Sequence, residues 1–165
     1  MARGDAGDAM GLDQAVTGPR LVVGIGFRHG VAPEAIVALI RRALDEAACG
    51  GALVAIVSAA DRTGEPAIQE AAAVFGLVPA SVEPEALLAV DARVPTRSAR
   101  IERSRGIGSL AEATALAVAG EGGRLVLARI DDGRVTCALA AMAPAGAEHP
   151  NLESKRARAA QIATA

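Results

Sequence analysis

The chain has 165 residues, formal net charge −2, and 52% hydrophobic residues, enough for one globular domain with a sizeable core and too apolar for a disordered chain. The charge balance excludes general affinity for nucleic acid, and with Phe27 and Phe75 the only aromatics there is no base-stacking platform. The longest uncharged apolar stretch, Cys49 to Ala60, falls short of the roughly 20 residues a membrane helix needs.

Residues 1–19 are rich in Gly, Ala and Asp without periodicity and carry no apolar signal-peptide core, so they are expected to be a disordered lead-in. The domain is expected over 20–142 and a polar, Ala-rich tail over 143–165. Cys49 and Cys137, far apart in the sequence, read as two buried, reduced thiols of a cytoplasmic protein.

The first strand is predicted over Leu21–Gly26, an apolar run leading into Phe27-Arg28-His29-Gly30. Pro33 suits the first turn of a helix, and Ile36, Leu39, Ile40, Ala43, Leu44 and Ala47 recur at helical spacing, with Gly50-Gly51 closing the helix. Strand, glycine loop and helix N-terminus together favour anions. The spacing of Gly24, Gly26 and Gly30 misses the dinucleotide fingerprint by one residue, and no P-loop lysine follows. The same glycines serve a tight turn and close helix–strand packing equally well.

Ala52–Val57 is a second buried strand, followed by a polar loop through Asp61-Arg62-Thr63 and a helix of about Glu65–Phe75 ended by Gly76. A short strand within Leu77–Val82 and a short helix over 83–88 come next. Residues 91–105, with five arginines and little periodicity, read as an extended loop. Ser109 and Glu112 then have capping-box spacing, each side chain expected to satisfy a backbone donor of the other, at the start of a helix ending at Gly120. Leu125–Ile130 and Arg134–Ala141 flank Asp131-Asp132-Gly133, a hairpin signal in which Asp-Gly supplies positive φ angles. The pattern predicts an α/β domain of three α/β/α layers, with a mixed sheet of about five strands ending in an antiparallel hairpin.

Three stretches in this order, Val23-Gly24-Ile25-Gly26-Phe27-Arg28-His29-Gly30, Gly106-Ile107-Gly108-Ser109-Leu110-Ala111-Glu112 and Arg134-Val135-Thr136-Cys137, resemble the cobalamin biosynthesis family of CobE and the CbiG C-terminal domain. The resemblance covers roughly Leu21 to Met142 and implies a compact α/β/α domain. CbiG proteins are cobalt-precorrin-5A hydrolases that open a ring lactone and release acetaldehyde; the expectation here is the short, stand-alone branch of the family. The chain departs from the family at Thr63 and Arg129, where lysines are usual, and the first change removes a charge.

What the resemblance implies is a corrinoid or precorrin intermediate as ligand, with other enzymes of the pathway as partners; no cofactor is expected, and no metal, since no second His or Cys stands at ligand spacing from His29. Corrin intermediates carry many carboxylates around a flat apolar ring, which calls for arginines, backbone N–H groups and glycines that allow close approach. Candidate ligand-binding residues fall in three loops at one sheet edge: Gly24, Gly26, Arg28, His29 and Gly30; Asp61 and Arg62; Gly108, Ser109 and Glu112. His29 is the candidate acid or base for lactone hydrolysis, with Arg28 as its oxyanion or carboxylate partner. A loop histidine is equally a solvated surface residue, helix capping alone explains Ser109 and Glu112, and the arginine run of 93–105 is either a solvated face or a propionate clamp. No nucleophile triad can be assembled around the one histidine of the expected domain, so binding is preferred over catalysis. A small anion- or nucleotide-binding module remains the third reading.

Overall fold

The computed structural model describes residues 18–144. The expected lead-in and tail therefore lie almost wholly outside the described residues.

Five strands form one sheet of order β3-β2-β1-β5-β4, with β1 over Arg20–Phe27, β2 over Ala52–Ala59, β3 over Ala80–Val82, β4 over Arg124–Asp131 and β5 over Val135–Ala141. β1, β2 and β3 run parallel, while β5 is antiparallel to both β1 and β4, giving the mixed sheet expected from the pattern. Helices α1 (Pro33–Ala47) and α2 (Pro66–Val74) cover one face. Helices α3 (Pro84–Val90), α4 (Ala99–Arg105) and α5 (Leu110–Ala119) lie on the connection from β3 to β4, and α3 and α5 cover the other face. Alternation along β1 divides the core: Val23 and Ile25 point towards α1, Val22 towards α5.

The helices begin as the residues dictate. α1, α2 and α3 each start on a proline, whose missing N–H is one the first turn leaves unpaired anyway. α1 ends earlier than its glycines suggest, because Ala48 itself adopts the left-handed conformation at φ 46°. Helix α5 is buried on nearly every side, and its small residues let it press against β1. Gly24 is required there, since a Cβ would overlap the Ala111 carbonyl and the Thr114 hydroxyl.

Four local expectations are corrected. Residues 99–105 form α4 and 91–93 a 3-10 turn, in place of one extended loop. Gly24 and Gly26 lie in β1, as the predicted strand Leu21–Gly26 has it, and only Gly30 (φ 77°) sits in the turn before α1, so their grouping with Gly30 as one glycine loop does not hold. In the β4–β5 turn Gly133 alone has positive φ, and the Asp131 and Asp132 side chains accept the N–H groups of Gly133, Arg134 and Val135. Cys137 is buried and its thiol pKa is pushed up by desolvation, but Cys49 is only half-buried.

Candidate functional site

The carboxyl ends of β1, β2 and β4 and the start of β5 face α4 and the first turn of α5 across a cleft of about 660 Å³. Ligands collect at this edge of α/β sheets because loops diverge there around a rigid floor. Gly26, Phe27, Ile101 and Leu110 give apolar surface, and six arginines line the walls: Arg28, Arg62, Arg100, Arg105, Arg129 and Arg134. The carboxylates of the lining are the two aspartates 61 and 131. A chain with net charge −2 thus concentrates positive charge in one concavity.

Two of these arginines are committed to the wall. Arg62 is 8% exposed; it donates to the Phe27 carbonyl, lies 4.5 Å over the Phe27 ring centroid, and sits 3.2 Å from Glu65 Oε1. Arg105 donates both guanidinium arms to Asp61, at 3.0 and 2.9 Å, and this pair holds the Asp61 carboxyl below the usual carboxylate range. The clasp joins the end of α4 to the loop after β2.

His29 is largely exposed at the mouth, with Nδ1 2.6 Å from Glu65 Oε1 and Nε2 2.6 Å from Arg62 Nη1. With its hydrogen on Nδ1 the ring donates to Glu65 and accepts from Arg62 on Nε2, while Arg62 Nη1 also lies 3.1 Å from Nδ1.

Of the ten candidate residues, the cleft brings together Gly26, Arg28, His29, Asp61 and Arg62. A Cβ on Gly26 would overlap the Thr136 hydroxyl, which itself donates to the Gly26 carbonyl. The other five lie off its walls. Gly24 serves the α5 contact and Gly30 a turn with open space around it. Gly108 donates its N–H to Asp91 (2.8 Å) and its carbonyl accepts from Ser98. Ser109 caps α5 by accepting the Glu112 N–H, yet Glu112 does not return the bond. Its buried carboxylate instead accepts from the Thr96 N–H and hydroxyl and from the Arg129 N–H. Among the cleft arginines, Arg100, Arg105, Arg129 and Arg134 are additions to the ten candidates. Arg100 and Ser104, four residues apart on α4, both face the cleft, a helical spacing readable only once 99–105 is taken as a helix.

Among the described residues no cluster of His, Cys, Asp and Glu could hold a metal ion, and no helix is long and apolar enough to cross a membrane. The fold and site define a three-layer α/β domain with a polybasic cleft at the carboxyl edge of its sheet. Residues 21–140 match the family described as cobalamin synthesis G C-terminus, and the chain belongs to that family of cobalamin biosynthesis proteins. A curated relative, protein CobE from Sinorhizobium sp, is 33% identical over 132 residues, spanning 79% of this chain and 86% of the relative. The crystal structure of CobE, a protein from the cobalamin (vitamin B12) biosynthetic pathway, is 32% identical, with TM-score 0.67 over 75% of this chain and 91% of that one. That of cobalamin biosynthesis protein chiG from Agrobacterium tumefaciens is 37% identical, with TM-score 0.59 over 76% and 99% of the two chains.

Proposed function

We propose that this protein binds a corrinoid or precorrin intermediate non-covalently in the cleft, as a carrier or as a partner of other enzymes of cobalamin biosynthesis. The observation that carries the reading is the composition of the cleft: an apolar floor beneath six arginines, with two aspartates to balance them. A flat macrocycle ringed with carboxylates needs both parts, apolar surface for its face and guanidinium groups for its edge. Membership of the family supplies the pathway.

Hydrolysis of a precorrin lactone is the second reading, and His29 beside Glu65 is the observation that favours it. The Arg62 guanidinium against Nε2 weighs against it, as does the exposure of the ring, because a general base needs a free lone pair aimed at its substrate.

Titration with hydrogenobyrinic acid, followed by absorbance, tests the proposal, with ATP as the control. Saturable corrinoid binding is expected; a saturable ATP signal with no corrinoid signal would sink the reading. Arg28→Ala should weaken corrinoid binding about tenfold or more, the scale of a lost charge-assisted bond. Its melting temperature should hardly move, since the exposed Arg28 side chain has no ion-pair partner among the described residues. His29→Ala should reduce affinity only modestly. If the protein is instead a hydrolase, wild type will release acetaldehyde from a precorrin-5A-type substrate and His29→Ala will lower that rate about 100-fold.

A further inference from the structure

The six cleft arginines fall into two sets with different consequences. Arg62 and Arg105 are held by Glu65 and Asp61. The guanidinium groups of Arg28, Arg100, Arg129 and Arg134 have no hydrogen-bonding or ion-pair partner among the described residues. They come from four separate segments, the β1–α1 turn, α4, β4 and the β4–β5 turn, and so stand at different points of the rim. A guanidinium has only donors to offer. A carboxylate meets it with two acceptors and a full charge, whereas a primary amide brings one neutral acceptor and an N–H₂ that faces donors with donors.

We propose that this cleft selects its ligand by the ionisation of the side chains around the ring, holding the polycarboxylate form and releasing the same molecule once those carboxylates have become primary amides. This rests on the corrinoid reading above and deepens it. The selection is both attractive and repulsive: each unpaired arginine gains from a carboxylate, and each leaves an amide N–H₂ opposed.

The test compares hydrogenobyrinic acid with the same molecule converted to its primary amides, titrated into the full chain by absorbance. The acid is expected to bind at least about 100-fold more tightly, the product of about tenfold for each carboxylate lost and more than one such contact. The acid's affinity should also fall steeply with added salt, while that of the amide stays nearly flat. Arg100→Gln and Arg134→Gln, both at exposed side chains, should each cut acid binding about tenfold without weakening amide binding. Equal affinity of the two forms, with the acid binding well, would overturn the selection while sparing the binding function. Loss of acid and amide binding in equal measure in the two variants would overturn it as well. Absence of binding by either form would overturn both readings.

Discussion

A carboxylate with no solvent exposure has to find its donors inside the protein, and Glu112 finds the Thr96 N–H and hydroxyl and the Arg129 N–H. Removing it leaves two backbone donors without an acceptor, each costing about 1–3 kcal/mol. Glu112→Ala is therefore expected to destabilise the domain by about 2–5 kcal/mol, a fall in melting temperature of roughly 10 °C or more. Thermal melts check this, and a variant melting within about 2 °C of wild type would mean that water replaces the side chain. Ser109 and Glu112 also mark how far residue spacing can be read. The spacing announces a helix start, which is a local matter, and Ser109 behaves accordingly. Where the Glu112 side chain goes depends on Thr96 and Arg129, brought near by the fold, and no local pattern contains that information.

Among the elements, α4 and the turn before it are held by ion pairs more than by apolar packing. Ile101 is the one large apolar residue in α4, so its seven residues carry no hydrophobic periodicity and read as loop. The strands were legible for the opposite reason: Leu21–Gly26 and Ala52–Val57 are apolar, β-branched runs bounded by glycine or polar residues, the first buried throughout and the second at Ile56 and Val57. Arg97 bridges Asp91 and Glu102, and the Arg97 guanidinium, followed by the Gly108 N–H, holds the Asp91 carboxyl below its usual range. Arg105 does the same for Asp61. A carboxyl whose pKa is lowered by folding adds stability above its unfolded pKa and loses it as pH falls through the folded value. The melting temperature should therefore drop below about pH 4. Asp91→Asn keeps an acceptor for Gly108 but has no charge to lose, so it should melt lower than wild type at pH 6 and fall less steeply in acid. Parallel pH profiles for the two proteins would show that Asp91 plays no part.

At the scale of the molecule, the cleft is the part least visible in the one-dimensional chain. Arg28, Arg100, Arg129 and Arg134 are separated by up to about a hundred residues, and only the sheet order and the return of β5 beside β1 gather them. The mixed topology follows from cheaper signals, helical spacing between the first strands and Asp-Gly before the last. The Glu112 carboxylate has a consequence on this scale too. Thr96 stands just before α4, which carries Arg100, and Arg129 lies on β4, so one carboxylate fastens the two opposite walls of the cleft to the same turn of α5. The amide protons of Thr96 and Arg129 should then exchange with solvent as a linked pair, slowly and with matching protection factors, although 33 positions separate them in the chain. Hydrogen exchange resolved to single amides would show it, and a Thr96 amide exchanging at the rate of an open loop would mean that the walls move independently. With the link intact, a molecule gripped by Arg100 and Arg129 meets a jaw whose opening is already set.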